Sequence, residues 1–218
     1  MKTEKILLLG FALSNISALI YEVTWSRELT YVFGTSVHAI STVLTSFMTG
    51  LALGSYIFGK RADATPNPIK LFAKLEIGIG LYGLLTLGLL GLLSYPYFIL
   101  YNTFHESFLF HYAQFWLAFL ALIIPTTFIG ATFPVMSKLY ARELDDVGGK
   151  VGVVYSADTI GAAAGAFAAG FILIPFFGHN DTIILAAVIN ILVGAFIYNL
   201  PYEPAPKGGR RKRGRKSK

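Results

Sequence analysis

The chain has 218 residues, 55% of them apolar and only 14% charged, where a soluble domain carries roughly a quarter charged residues. With a mean hydropathy of +0.61, this excludes an ordinary soluble domain and points to a membrane protein. There is no cysteine, which excludes disulfides and thiolate metal sites, and the net charge of +6 is concentrated at one end, with eight of the 18 Lys and Arg in the last 12 residues.

A spanning helix needs about 20 mostly apolar residues, because the hydrocarbon layer is roughly 30 Å thick and each helical residue rises about 1.5 Å. Six stretches qualify: 5–25, 35–58, 70–94, 113–136, 151–176 and 181–200. The expected fold is therefore all-α, a polytopic six-helix membrane domain over 1–200, followed by a basic tail over 201–218. The first stretch is too long for a cleaved signal peptide and is followed by no small-residue cleavage site.

That first helix ends in ALIYEVTWSREL, residues 18–29, which puts Glu22, Arg27 and Glu28 at the end of an apolar run. Asn15, Ala18, Glu22 and Ser26 share one face by their spacing of three and four. The expectation is a paired, partly buried charge cluster, Arg27 reaching either acid and Trp25 lying at the membrane interface. Its two readings are a binding site and an ion pair that closes the bundle.

In helix 2, Ser46, Gly50 and Gly54 form a small-residue seam, which lets helix backbones approach closely in a membrane. Helix 3 carries Gly80, Gly83 and Gly91, with Glu76 one turn before Gly80 on the same seam. The aromatic stretch SYPYFILYNTFHESFLFHY that follows predicts an interfacial hairpin or short helix. Helix 4, LIIPTTFIGATFP, holds Pro125, Gly130 and Pro134, a pattern that predicts a disturbed or broken helix whose freed carbonyls are taken by Thr126, Thr127 or water. In helix 5, Gly161 and Gly165 form a second packing seam with Asp158 leading into it. Acids at membrane depth face a bundle interior or a wet cavity. Asn15, Glu22, Arg27, Glu28, Glu76 and Asp158 are accordingly the candidate substrate- or ion-binding residues, with Lys74 and Lys150 as snorkelling neighbours of the last two acids.

The loops order the topology. Lys2, Lys5, Lys60, Arg61, Lys70, Lys74, Lys138, Arg142, Lys150 and the tail cations all fall on one side of the six-helix count, and Arg27 alone falls on the other. The positive-inside rule then predicts cytoplasmic termini in the cell membrane. The tail, with Arg210, Arg211, Lys212, Arg213, Arg215 and Lys216, is a candidate for binding anionic lipid or an acidic partner. Nucleic acid is not an expected ligand. No cofactor or metal is expected, since the four His are scattered and no nucleophile–base pair stands out.

ALIYEVTWSREL, VLTSFMTGLALGSYIFGKRAD, LEIGIGLYGLLT, PTTFIGATFPVMSKL and VGVVYSADTIGAAAGAFAAGFILIPFFG occur in that order, the last ending at residue 178, and the likeness they carry covers about residues 10–178. Together they resemble the membrane domain of fused spermidine synthase-like proteins, which looks like half of a major facilitator superfamily transporter. The resemblance implies a six-helix facilitator-like bundle. It also implies a signature cluster of Glu22, Trp25 and Arg27, and a cytoplasmic turn from Gly54 to Asp63. It implies an amide at position 158, from which Asp158 departs. Such proteins usually carry an aminopropyltransferase domain after the membrane part. Its glycine-rich nucleotide loop has no counterpart here, because GGRRKRGRKSK follows no strand and precedes no helix. Aminopropyl transfer by these residues is therefore not expected.

Two functions remain in contention. One is a half-size transporter for a small cationic, polyamine-like solute, working as a homodimer. The other is a non-transporting anchor or subunit for a cytoplasmic enzyme or membrane complex. A membrane enzyme built on Glu22 and His38 is the weakest reading.

Overall fold

The computed structural model describes residues 2–33, 36–104, 107–141 and 146–202. Arg142 and the tail cations Arg210, Arg211, Lys212, Arg213, Arg215 and Lys216 lie outside the described residues.

The described chain is a helical bundle in the order α1 (Lys2–Phe33), α2 (Ser36–Ala64), α3 (Pro68–Leu92), α4 (Ser94–Phe104), α5 (Phe108–Tyr140), α6 (Val147–Ala168) and α7 (Ile174–Tyr198). A π-helical turn, Ala169–Leu173, joins the last two. Local chemistry sets the ends. Asn67 caps α3 by accepting the Lys70 N–H at 3.1 Å, and Pro68 fills the first helical position, where no N–H is needed. Ser107 caps α5 in the same way through the Phe110 N–H.

From Val147 to Tyr198 the helical stretch covers 52 residues without a loop. A straight helix of that length would measure about 78 Å, more than twice the hydrocarbon thickness of about 30 Å. The chain reverses instead at Gly178, whose φ of 79° and ψ of −179° lie outside helical space and suit a residue without Cβ. Six long apolar segments result, with α4 as a short aromatic helix between the third and fourth.

Contacts between helix ends fix which ends lie together. Lys138 of α5 meets Asp63 of α2, and Lys70 of α3 lies over the Tyr198 ring of α7. This is the tail end of the bundle. At the other end, the α4 end, His38 of α2 stacks on His111 of α5, and Glu28 of α1 meets His179 of α7.

The packing repeats itself. α2 packs along α5 as α6 packs along α1, α3 packs on α5 as α7 packs on α1, and α3 and α7 cross each other. This is an internal two-fold relation between α1–α2–α3 and α5–α6–α7. Close backbone approach is its physical basis. A Cβ at Gly50 or Gly54 would strike Thr126, Thr127 and Gly130 of α5, while one at Gly161 or Gly165 would strike the Ala12 and Ile16 carbonyls of α1. At the α3–α7 crossing the match is residue by residue. A Cβ on Gly80 would lie 2.8 Å from the Ala187 carbonyl and 2.7 Å from Ile191, and one on Gly194 would lie 2.8 Å from the Ala73 carbonyl and 2.7 Å from Ile77. The sequence A-x-x-E-I-x-x-G, residues 73–80, thus faces A-x-x-N-I-x-x-G, residues 187–194. Gly91 faces open space and belongs to no seam.

Two sequence expectations are corrected. The stretch from Gly54 to Asp63 is helical, and the turn between α2 and α3 is Thr65–Asn67, because it is the Pro66–Asn67–Pro68 run that stops the helix. Nor is α5 broken at Pro125, Gly130 or Pro134; it runs unbroken from Phe108 to Tyr140. Each proline leaves the carbonyl four residues earlier without its usual donor. The Tyr82 hydroxyl of α3 donates to the Ala121 carbonyl at 2.9 Å, and the Ser55 hydroxyl of α2 donates to the Gly130 carbonyl at 3.0 Å. Thr126 and Thr127 add hydrogen bonds of 2.8 Å to Leu122 and 2.6 Å to Ile123.

Candidate functional site

The polar groups at membrane depth fall into separate places. Along α1, the segment ALIYEVTWSREL stays helical to Phe33, so its charges do not mark a helix end. Trp25 is fully buried, stacks on Tyr21 and donates its indole N–H to Thr86 at 3.1 Å. The expected interfacial position is therefore wrong: Trp25 shares the inward face of α1 with Tyr21 and Leu29, each four residues away.

Glu22 lies on the adjoining face, half-buried, in a groove of about 450 Å³ between α1 and α2 that Ser26, Arg27 and Thr30 also line. The expected pairing fails here as well. Glu28 meets His179 at 3.9 Å, and no ion pair joins exposed Arg27 to either acid among the described residues. In a continuous helix, residues five apart and adjacent residues point to different faces.

Asn15 and Asp158 come together. They line a second groove of about 210 Å³ where α1, α2, α5 and α6 meet, with Ser55 and Tyr155 on its wall. Asn15 donates to the Phe11 carbonyl at 2.9 Å, whereas half-buried Asp158 has no polar side-chain partner among the described residues. Lys150 lines a different groove, beside Glu4 and Asp146.

Glu76 is fully buried, with no residual exposure, between α1, α3 and α7. It accepts hydrogen bonds from the Ser14 hydroxyl at 2.7 Å and the Asn190 amide at 2.8 Å. Lys74 is exposed and is not its partner. Sequence reasoning missed Ser14, Asn190, Ser55 and Tyr82. The only signal for Asn190 was a lone amide in an apolar helix, which does not name a neighbour.

The helix faces differ in polarity. From Ile77 to Leu92 on α3 and from Ile183 to Phe196 on α7, every exposed residue is apolar or Gly. On α6, Tyr155, Ser156 and Thr159 are exposed beside half-buried Asp158, and on α2 Ser41 and Thr45 are exposed. Over the two spans on α3 and α7, that side of the bundle suits lipid. The side formed by α1, α2, α5 and α6 carries both grooves and their acids.

The chain is 29% identical over 191 residues to "Polyamine aminopropyltransferase 2" of Streptomyces coelicolor, an alignment covering 87% of this chain and 33% of that protein. It is 24% identical over 196 residues to "Polyamine aminopropyltransferase" of Corynebacterium efficiens, covering 88% of this chain and 34% of that one. The chain thus spans about a third of the length of the curated relatives it matches. No solved structure matches it. The Major Facilitator Superfamily matches residues 6–218, nearly the whole chain. With six long apolar segments, an internal two-fold and this match, the chain belongs to the Major Facilitator Superfamily as an all-α, multi-pass, transporter-like membrane protein.

Proposed function

We propose that the chain is a half-size transporter, in which two copies set their α1–α2–α5–α6 faces together around a path for a small cationic solute. The observation that carries this reading is the pair of acids on that face: Glu22 and Asp158 are half-buried at membrane depth, and no described cation lies within ion-pair distance of either. Such acids are costly against lipid and serve a wet cavity or a polar ligand. Facing copies would shield both grooves from the acyl chains and leave the apolar α3 and α7 faces outside. The names of the relatives make a polyamine the first solute to test. The side bearing almost all Lys and Arg is placed in the cytoplasm by the positive-inside rule.

The test is uptake of labelled spermidine into proteoliposomes, comparing wild type with Glu22→Gln and Asp158→Asn. Saturable flux that either substitution reduces at least tenfold supports the reading. Absence of saturable flux for several amines sinks it.

The anchor reading has one observation in its favour: the relatives that share this segment are named as enzymes and are about three times as long. It predicts a soluble enzyme that co-purifies with the chain in mild detergent. A homogeneous eluate holding only this chain counts against it.

A further inference from the structure

Glu76 is the only fully buried acid among the described residues, and no Lys, Arg or His nitrogen lies within 4.0 Å of it. Its two partners, the Ser14 hydroxyl and the Asn190 amide, are neutral donors. Hydrogen bonds of this kind do not cancel a full charge taken out of water; proteins answer such a charge with a paired cation or a bound one. A second observation points to the same place. Asn190 is also fully buried, and its Oδ1 has no hydrogen-bond partner although its Nδ2 is committed to Glu76. The fully buried Tyr21 hydroxyl on α1 is unpartnered as well, against the α3 backbone at Gly83, two turns along the same face from Glu76.

We propose that Glu76, Ser14 and Asn190 form a binding site for one monovalent cation, either a proton on the carboxyl or a sodium ion held by the carboxylate, the Ser14 hydroxyl and the free Asn190 oxygen. Carboxylate, hydroxyl and amide oxygens are hard donors that suit a small hard cation. The internal two-fold explains why a single charge suffices. Glu76 and Asn190 occupy equivalent positions, each four residues before the glycine that its partner helix touches. Two acids facing each other there would require two cations. An acid facing an amide requires one.

Among the described residues, no other ionisable group substitutes for this cation. From α1 the facing group is Tyr21. From α7, His179 and Asp181 lie at the far end of the helix. From α5, Lys138 donates to the Ala62 carbonyl and meets Asp63 at 3.7 Å, beyond the tail end of the crossing. On α3 itself, Lys70 and Lys74 are exposed, and Tyr82 is bonded to Ala121. The short α4 follows the end of α3 away from Glu76, packs on α3 and α5, and offers tyrosines.

The inference stands apart from transport, because its test reads stability. The purified full chain is melted in detergent across a pH series, in choline chloride and in sodium chloride at equal ionic strength. A cation bound by the folded state and not by the unfolded state stabilises the fold. If the occupant is a proton, the wild-type melting temperature falls as pH rises, by roughly 3–5 °C per pH unit, in both salts. If it is sodium, each tenfold rise in sodium at alkaline pH raises it by about the same amount. Glu76→Gln flattens whichever response is seen. A wild type indifferent to both pH and sodium overturns the proposal, as does a Glu76→Gln variant that responds like wild type. Should that variant fail to fold, the exchange Glu76→Asn with Asn190→Glu returns the carboxyl from the other arm of the two-fold and is expected to retain the response; its loss in a folded exchange variant counts against the site. Infrared spectra of the wild type need no variant. Finding neither a protonated-carboxyl absorption at neutral pH nor a sodium-dependent carboxylate shift also overturns it.

Discussion

Ser55 and Tyr82 hold the proline-bearing helix to its neighbours. Each hydroxyl answers a carbonyl that a proline had deprived of its donor, and an unanswered buried carbonyl costs more than the average hydrogen bond contributes. Ser55→Ala and Tyr82→Phe are each expected to lower stability by about 1–2 kcal/mol in detergent unfolding. Because they lie on different helices and serve different carbonyls, the double variant should lose about the sum. Arg27→Ala provides the contrast. Arg27 is exposed and makes no ion pair among the described residues, so unfolding should shift by less than about 0.5 kcal/mol. A strong destabilisation by Arg27→Ala would contradict the unpaired, exposed position. Trp25 shows how residue type misleads: a Trp near a charged segment reads as an interface anchor, yet here a hydroxyl on α3 satisfies its indole N–H and the ring is core.

Glycines decide how closely the helices approach. At Gly54 on α2 and Gly165 on α6 the seams place backbone against backbone, so an added methyl group has no side-chain end to push aside. Gly54→Ala and Gly165→Ala are expected to remove most of the folded, monodisperse protein, as read by size-exclusion chromatography. Gly91→Ala should be neutral or stabilise by up to about 1 kcal/mol, because the site is open and Ala is the better helix former. Equal behaviour of all three would show that the seams do not carry the packing. The same reasoning explains what the sequence disclosed at this scale. Small residues at spacing four, such as Gly50 with Gly54 and Gly161 with Gly165, announce a close contact but not the opposite helix. That α2 meets α5 while α6 meets α1 emerges only when six helices share one bundle.

The whole molecule presents one side that is apolar along the middle of α3 and α7, and one side that carries Glu22, Asp158 and their grooves. The absence of cysteine lets single cysteines report which side meets a second copy. Ser156→Cys on α6 is expected to form a disulfide-linked dimer in native membranes, whereas Leu85→Cys on α3 and Leu192→Cys on α7 should stay monomeric. Cross-linking through α3 or α7 and not α6 would contradict the facing arrangement. Surface labelling of the same variants reports sidedness: a cysteine at Tyr31, at the α4 end, should react with an impermeant reagent from outside, and one at Thr65 should not.

The sequence by itself determined the class of the molecule. Long apolar runs, their number, the short aromatic helix and the small-residue seams follow from local composition and period, because hydrocarbon leaves backbone groups no water to bond and so favours helices that satisfy all but a few of them internally. It also singled out Glu76 and Asp158 as acids at depth. Only the tertiary structure decided their circumstances. It closed Glu76 inside the α3–α7 crossing with Ser14 and Asn190, 62 and 114 residues away along the chain, left Asp158 facing a groove, gave Glu28 to His179, and took Trp25 from the interface into the core. Such partners are set by which helices cross and at what height. That is a property of packing between distant segments, and no single segment encodes it.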